Sequence, residues 1–187
     1  MPAVETTSIP LGFRAPDFRL PDTISGKDLC LNDLKGEKAT VVMFICNHCP
    51  YVVHIKEQLV AMAKDYQSKG ISFIAISSND VSRYPADSPE KMKVFAEENK
   101  FTFPYLYDES QEVAKAYDAA CTPDFSIFDK DQVCIYRGQL DSSRPRNGKP
   151  VTGEDIRNFL ETVVANKISE ARQIPSIGCS IKWKTNV

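Results

Sequence analysis

The stretch Thr40-Val41-Val42-Met43-Phe44-Ile45-Cys46-Asn47-His48-Cys49-Pro50 decides the fold. Its first six residues are a continuous β-branched and apolar run, the pattern of a strand buried on both faces. Pro50 suits the first turn of a helix, because its missing N–H would have no partner there anyway. Val52, Ile55, Leu59, Met62, Ala63 and Tyr66 then recur at helical spacing until Gly70 ends the helix. Two cysteines three residues apart thus lie between a buried strand and a helix.

Outward from this unit, Ile71–Ile76 reads as a second buried strand. Ser88 caps a helix with Pro89 at its first position, running to about Lys100. Pro104–Tyr107 is a short strand, and Ser110 caps a helix through Tyr117. Phe125–Phe128 and Val133–Tyr136 flank Asp129-Lys130-Asp131 and read as an antiparallel hairpin. Thr152 caps a last helix with Ile156, Phe159, Leu160, Val163 and Val164 on one face. Upstream, Asp17–Leu20 and Leu29–Leu31 form a hairpin about Ser25-Gly26, and Asn32–Gly36 is one helical turn. Residues 1–15 read as a flexible or draped arm, and the tail from Glu170 as irregular. The order is hairpin, three β-α units, a second hairpin and a helix. This is an α/β three-layer sandwich: a central mixed sheet, parallel first and antiparallel at its end, with helices on both faces.

The 187 residues make one domain with arms at both ends. A chain of this length buries roughly 70% of its unfolded surface and needs no disulfide staples or structural metal. A net charge of −2 gives no electrostatic footprint for nucleic acid. No apolar run approaches the ~18 residues of a membrane span. Residues 1–11 lack Lys, Arg and a long apolar block, so no secretory signal is read and a cytoplasmic location is expected.

Six cysteines, Cys30, Cys46, Cys49, Cys121, Cys134 and Cys179, are too sparse for a small secreted disulfide scaffold. The tight pair reads instead as redox or metal chemistry. On this reading Cys46 sits just outside the helix N-terminus, where free N–H groups and the macrodipole favour a thiolate, and Cys49 lies in the first turn. Cys46 is then the attacking nucleophile and Cys49 the resolving thiol. His48 can carry a positive charge that stabilises the Cys46 thiolate and makes the disulfide more oxidising. A zinc site needs four ligands, and neither a second CxxC nor an HxxxH is present; His48 or His54 with Cys121 or Cys179 could complete one only by tertiary placement.

Strand-CxxCP-helix followed by Cys121-Thr122-Pro123 before a hairpin and a final helix resembles the thioredoxin superfamily. The N-terminal hairpin and the extra strand-helix unit are similar to its redoxin branch, the AhpC/TSA and TlpA-like proteins. Cys46-Asn47-His48-Cys49-Pro50-Tyr51-Val52, with Pro175-Ser176-Ile177-Gly178-Cys179, resembles a subgroup of bacterial thioredoxin-family proteins. The resemblance spans Pro10 to Lys184. It implies that Thr122–Pro123 is a cis peptide facing the dithiol, with a backbone that pairs an extended substrate segment.

The departures are informative. Thioredoxin's buried acid six positions before the first cysteine is Thr40 here, which leaves proton transfer to water or His54. Its Trp is Ile45, and its Gly-Pro is Asn47-His48. Typical peroxiredoxins carry Thr-x-x-Cys, whose Cys attacks peroxide; here Cys46 stands in the Thr place.

Cys121 reads either as a third thiol near the site or as a small buried residue. Cys179 reads as a mobile tail thiol that resolves a mixed disulfide or bonds another chain, or as an uninvolved one. Cys30 and Cys134 read as core. The polar loop Leu140–Gly148 either borders the site with Arg144 and Arg146 or is a solvated connection. Trp183 reads as an anchor for the tail. The expected function is thiol–disulfide exchange by Cys46 and Cys49, supported by Asn47, His48, Pro50, Thr122 and Pro123, with no cofactor. Its partners would be a protein or small-molecule disulfide or thiol and a separate reductant. A thiol peroxidase with an antioxidant role and a non-enzymatic redox-sensing or metal-binding module are the alternatives.

Overall fold

Every residue of Ala39–Phe44 is buried, as a strand covered on both faces requires. The computed structural model describes residues 3–167 and 173–185, so residues 170–172 and 186–187 of the expected tail and residues 1–2 of the arm lie outside it. The chain begins with β1 (Ala3–Glu5), β2 (Arg19–Pro21), β3 (Asp28–Cys30) and the one-turn helix α1 (Leu31–Leu34). Then come β4 (Ala39–Phe44), α2 (Pro50–Gln67), β5 (Ile71–Ser77), the short 3-10 turn Pro85–Asp87 and α3 (Pro89–Glu98). They are followed by β6 (Tyr105–Tyr107), α4 (Glu112–Ala116), β7 (Cys121–Thr122), β8 (Asp124–Asp129), β9 (Cys134–Arg137), α5 (Glu154–Val164) and β10 (Ile177–Ser180).

The central sheet has the order β6-β5-β4-β8-β9. β4, β5 and β6 run parallel, while β8 and β9 pair antiparallel at the other side. Side chains alternate across β4, so Val41 and Met43 face α2, α3 and α5, whereas Val42 and Phe44 face α4 and the β2–β3 hairpin. Tyr117 closes the second face, with its ring edge-on to Phe128 and its hydroxyl donating to the Pro16 carbonyl at 2.7 Å. The layered α/β architecture is therefore the one read from the sequence.

Several boundaries differ. α5 is capped at Gly153 (φ 69°) rather than at Thr152, because the buried Asp141 carboxylate accepts the Thr152 and Gly153 N–H groups at 2.8 and 2.6 Å. The polar loop is thus pinned by a buried carboxylate. α4 is capped at Gln111 rather than at Ser110, and Ser110 Oγ accepts from the Glu112 N–H. Trp183 is exposed, with Lys115 over its ring, and is no buried anchor. Cys134 is core, but Cys30 is half-buried and its thiol donates to Asp33.

The two chain ends depart most from expectation. β1, β10 and β7 form a separate three-stranded antiparallel sheet. The arm and the tail are tied to each other and to the segment that precedes Pro123.

Candidate active site

β4 delivers the chain to Cys46, and Ile45 extends it by one hydrogen bond to the Ile76 carbonyl. The Cys49 carbonyl then accepts from the Val52 and Val53 N–H groups, so Cys49 is the N-cap of α2 and Pro50 its first residue. This corrects the expected placement. Cys49, not Cys46, stands at the positive end of the helix.

The peptide Thr122–Pro123 is cis, as the resemblance implied. Thr122 meets both thiols: its hydroxyl lies 3.4 Å from Cys46 Sγ, and its carbonyl accepts from the Cys49 thiol at 3.1 Å. Cys179 on β10 pairs across from the same Thr122, and the three thiols pack in one buried cluster. Cys46, Cys49 and Cys179 therefore form one cluster beneath Thr122.

The two central sulfurs titrate as a pair. The hydrogen bond from Cys46 lowers the Cys49 thiol, burial opposes this, and Cys179, Thr122 and the Val52 N–H add to the lowering. Cys46 is held well above the ordinary thiol range by that same bond, by burial and by the Asp87 charge. Charging Cys49 gives up its bond to the Thr122 carbonyl but gains these donors. These causes move the two thiols in opposite directions, Cys49 down and Cys46 up. Cys179 is pushed up to about 12, chiefly by burial and by its bond to Cys49. Cys121 is buried, and its thiol contacts Thr6 and the Pro123 carbonyl; burial holds it above the ordinary range. It fits the reading of a small buried residue.

The residues between the cysteines are held by a carboxylate that no motif announced. Asp87 is fully buried in the 3-10 turn. It accepts from the Asn47 N–H at 2.8 Å and from Asn79 at 2.8 Å, and it pairs with His48 Nδ1 at 2.7 Å. Asn47 in turn donates to the Ala86 carbonyl and accepts from the Tyr105 hydroxyl at 3.0 Å. The Asp87 hydrogen bond raises the His48 pKa despite partial burial. Burial pushes Asp87 up, but the bonds from His48 and Asn79 outweigh it and leave the carboxyl low. The His48 ring stacks on Tyr84 at 5.6 Å, and Lys182 Nζ lies over the Tyr84 ring at 5.8 Å.

Cys46, His48 and Asp87 place one donor atom each within 4.8 Å of one another. This set differs from the combinations of His48 or His54 with Cys121 or Cys179 weighed from sequence. His48 Nδ1 and both Asp87 oxygens already have protein partners, whereas the buried His48 Nε2 has none.

Pro50 is exposed and serves to begin α2. Thr40 is buried, and its hydroxyl accepts from the Gly36 N–H at 3.0 Å, well away from the dithiol. His54 and Arg144 line a cavity of about 20 Å³ beside Pro123, room for about one water. Arg146 is exposed. Asp87, Asn79, Tyr84, Tyr105 and Lys182 are the site residues that sequence reasoning missed. They carry no periodic signal and lie 33 or more positions from Cys46 along the chain.

A thioredoxin-like sheet with a dithiol at a helix N-terminus, facing a cis-proline loop, defines the thioredoxin superfamily. Residues 11–137 match the AhpC/TSA family, and the chain belongs to that family. It is 28% identical over 164 residues to the thiol-disulfide oxidoreductase ResA of Geobacillus thermodenitrificans, covering 85% of this chain and 81% of that one. It is 29% identical over 115 residues to a Mycobacterium tuberculosis protein provisionally named a peroxiredoxin, covering 62% and 68%. A conserved protein of Geobacillus kaustophilus, described only as uncharacterized, has the same structure (TM-score 0.98, 60% identity, 100% and 99% covered).

Proposed function

We propose that the chain is a thiol–disulfide oxidoreductase whose redox couple is Cys46 and Cys49, with Cys49 as the attacking thiol. The observation that carries this reading is the pair of buried thiols before α2, both in contact with Thr122 of the cis peptide. The Cys49 thiolate attacks one sulfur of a disulfide R–S–S–R′, forms Cys49–S–S–R and releases R′S⁻. Cys46 then attacks the Cys49 sulfur, passes its proton to the departing RS⁻ and closes the Cys46–Cys49 disulfide. Two electrons move from the dithiol to the substrate, and a separate thiol reductant restores it. Assigning the attack to Cys49 rather than Cys46 follows the helix N-cap and the donors around its sulfur.

Asn47 and His48 act as positioning residues through Asp87. A protonated His48 attracts the charge on Cys49. The substrate class is a protein or small-molecule disulfide. The reading goes with the cytoplasm, where thiols outside the couple stay reduced.

The test is turnover of a model disulfide with a thiol reductant. Wild type is expected to cycle, and Cys49→Ser and Cys46→Ser/Cys179→Ala to lose at least 100-fold, with a trapped mixed disulfide on Cys49 in the double variant. Full turnover by Cys49→Ser would overturn the proposal.

A second reading, thiol peroxidase, is favoured by the position of Cys49 at the helix N-terminus and by the Mycobacterium relative. Peroxide consumption measured by stopped flow separates the two: a rate no better than that of free cysteine removes it.

A further inference from the structure

β10 is a strand built from the tail, and its placement is specific. Cys179 lies opposite Thr122, and Ser180 opposite Cys121, in an antiparallel pair. The opposite edge of β10 is covered by β1, with Cys179 across from Ala3. The segment is fastened at both ends. Ser176 Oγ donates to the Pro123 carbonyl at 2.8 Å, the Ile181 N–H to the Ala120 carbonyl at 3.1 Å and the Lys182 N–H to Asn79 at 2.8 Å. Gly178 sits so close to the Thr122–Pro123 peptide that a Cβ there would lie 1.9 Å from the Thr122 oxygen. The mobile tail thiol of the sequence reading is instead a held one.

The strand brings its thiol alongside Thr122, whose carbonyl accepts from the Cys49 thiol at 3.1 Å and whose hydroxyl lies 3.4 Å from Cys46, and the three thiols pack in one buried cluster. Exposure ranks the three: Cys49 is 0% exposed, Cys46 1% and Cys179 9%. Cys179 is thus the member of the cluster nearest solvent.

We propose that Cys179 is a third redox-active thiol, which exchanges with the Cys46–Cys49 disulfide to form a Cys49–Cys179 disulfide. The proposal rests on the reading of Cys46 and Cys49 as a redox couple. Cys179, as thiolate, attacks the Cys49 sulfur. The Cys46–Cys49 bond breaks and the Cys49–Cys179 bond forms. Cys46 leaves as thiolate and takes the proton that Cys179 gave up. There is no net oxidation, so no further reactant is needed. The effect is to move the disulfide from the most shielded pair onto the strand nearest solvent.

Tryptic cleavage distinguishes the two disulfides. Cys46 and Cys49 share peptide 39–56, whereas Cys179 lies in peptide 173–182. Full-length wild type is treated with less than one equivalent of oxidised glutathione, alkylated, digested without reductant and weighed by mass spectrometry. Both the internally bridged 39–56 peptide and the 39–56/173–182 cross-link are expected. Cys46→Ser, given the same treatment, is expected to convert mainly to the cross-link. Cys46→Ser/Cys179→Ala is expected to stop as a glutathione adduct on Cys49.

A stable glutathione adduct in Cys46→Ser, with Cys179 still open to alkylation, would overturn the proposal. So would wild type that yields the internal bridge without any cross-link. Absence of the internal bridge in wild type would instead strike the parent reading of the couple. Circular dichroism and melting of each variant establish folding, and the wild-type experiment stands without any substitution.

Discussion

Gly178 lies against the Thr122–Pro123 peptide, closer than any residue with a Cβ could. This contact seats β10 on β7 and sets Cys179 beside Cys49. Gly178→Ala must push the strand away, since the obstruction is backbone rather than a flexible side chain. The expected cost is about 1–3 kcal/mol, the range for overpacking a close contact. Native-state hydrogen exchange should show faster amides through 177–180 with the central sheet unchanged. Unaltered protection there would contradict the contact.

Asp87→Asn removes the charge that holds His48 and Asn47. A charged hydrogen bond is worth about 1.5–3 kcal/mol, and a loss of this order is expected. The signs follow from the two shifts. His48 is raised in the folded state, so its contribution is complete below the unfolded value of about 6.5 and is lost as pH rises through the folded value. Asp87 is lowered, so its contribution is complete above about 3.9 and is lost as pH falls through the folded value. NMR titration of the variant should find the His48 pKa below that of the wild type.

Alkylation should reveal which sulfur carries the charge. In Cys46→Ser, the reaction of Cys49 with iodoacetamide is expected to persist below the ordinary thiol midpoint of ~8.5, through the helix terminus and the remaining donors. In Cys49→Ser, Cys46 remains buried and beside Asp87, and should stay unreactive there. The reverse order would return the attacking role to Cys46.

Asp124 is buried 3.8 Å from Arg137 Nη2, and burial pushes its carboxyl up to about 6 against the pull of that cation. A raised carboxyl stabilises the fold fully below the unfolded value of about 3.9, and the contribution is lost as pH rises through the folded value. Asp124→Asn has no charge to bury. Relative to wild type, it should therefore gain about 1–3 kcal/mol between pH 4 and pH 7, read from urea midpoints. A constant difference across that range would sink the assignment.

Patterns local in the chain were legible. The run Thr40–Ile45 is a strand buried on both faces because both its faces are apolar, and the spacing from Val52 to Tyr66 is a helix face. Cys46-Asn47-His48-Cys49 and Thr122-Pro123 could be recognised as a pair of motifs, and the structure sets them against each other. Caps were read less well, because the start of α5 depends on Asp141 from a loop more than ten residues earlier.

The sequence by itself determined the layered α/β fold and the dithiol, since periodicity and short motifs act through neighbouring residues. Tertiary structure decided that Cys49 caps α2, that Asp87 holds His48, and that the tail returns as a strand beside Thr122 and the dithiol. Those outcomes depend on hydrogen bonds and burial between residues tens of positions apart. Such contacts have no period in the chain and exist only once the sheet has brought its ends together.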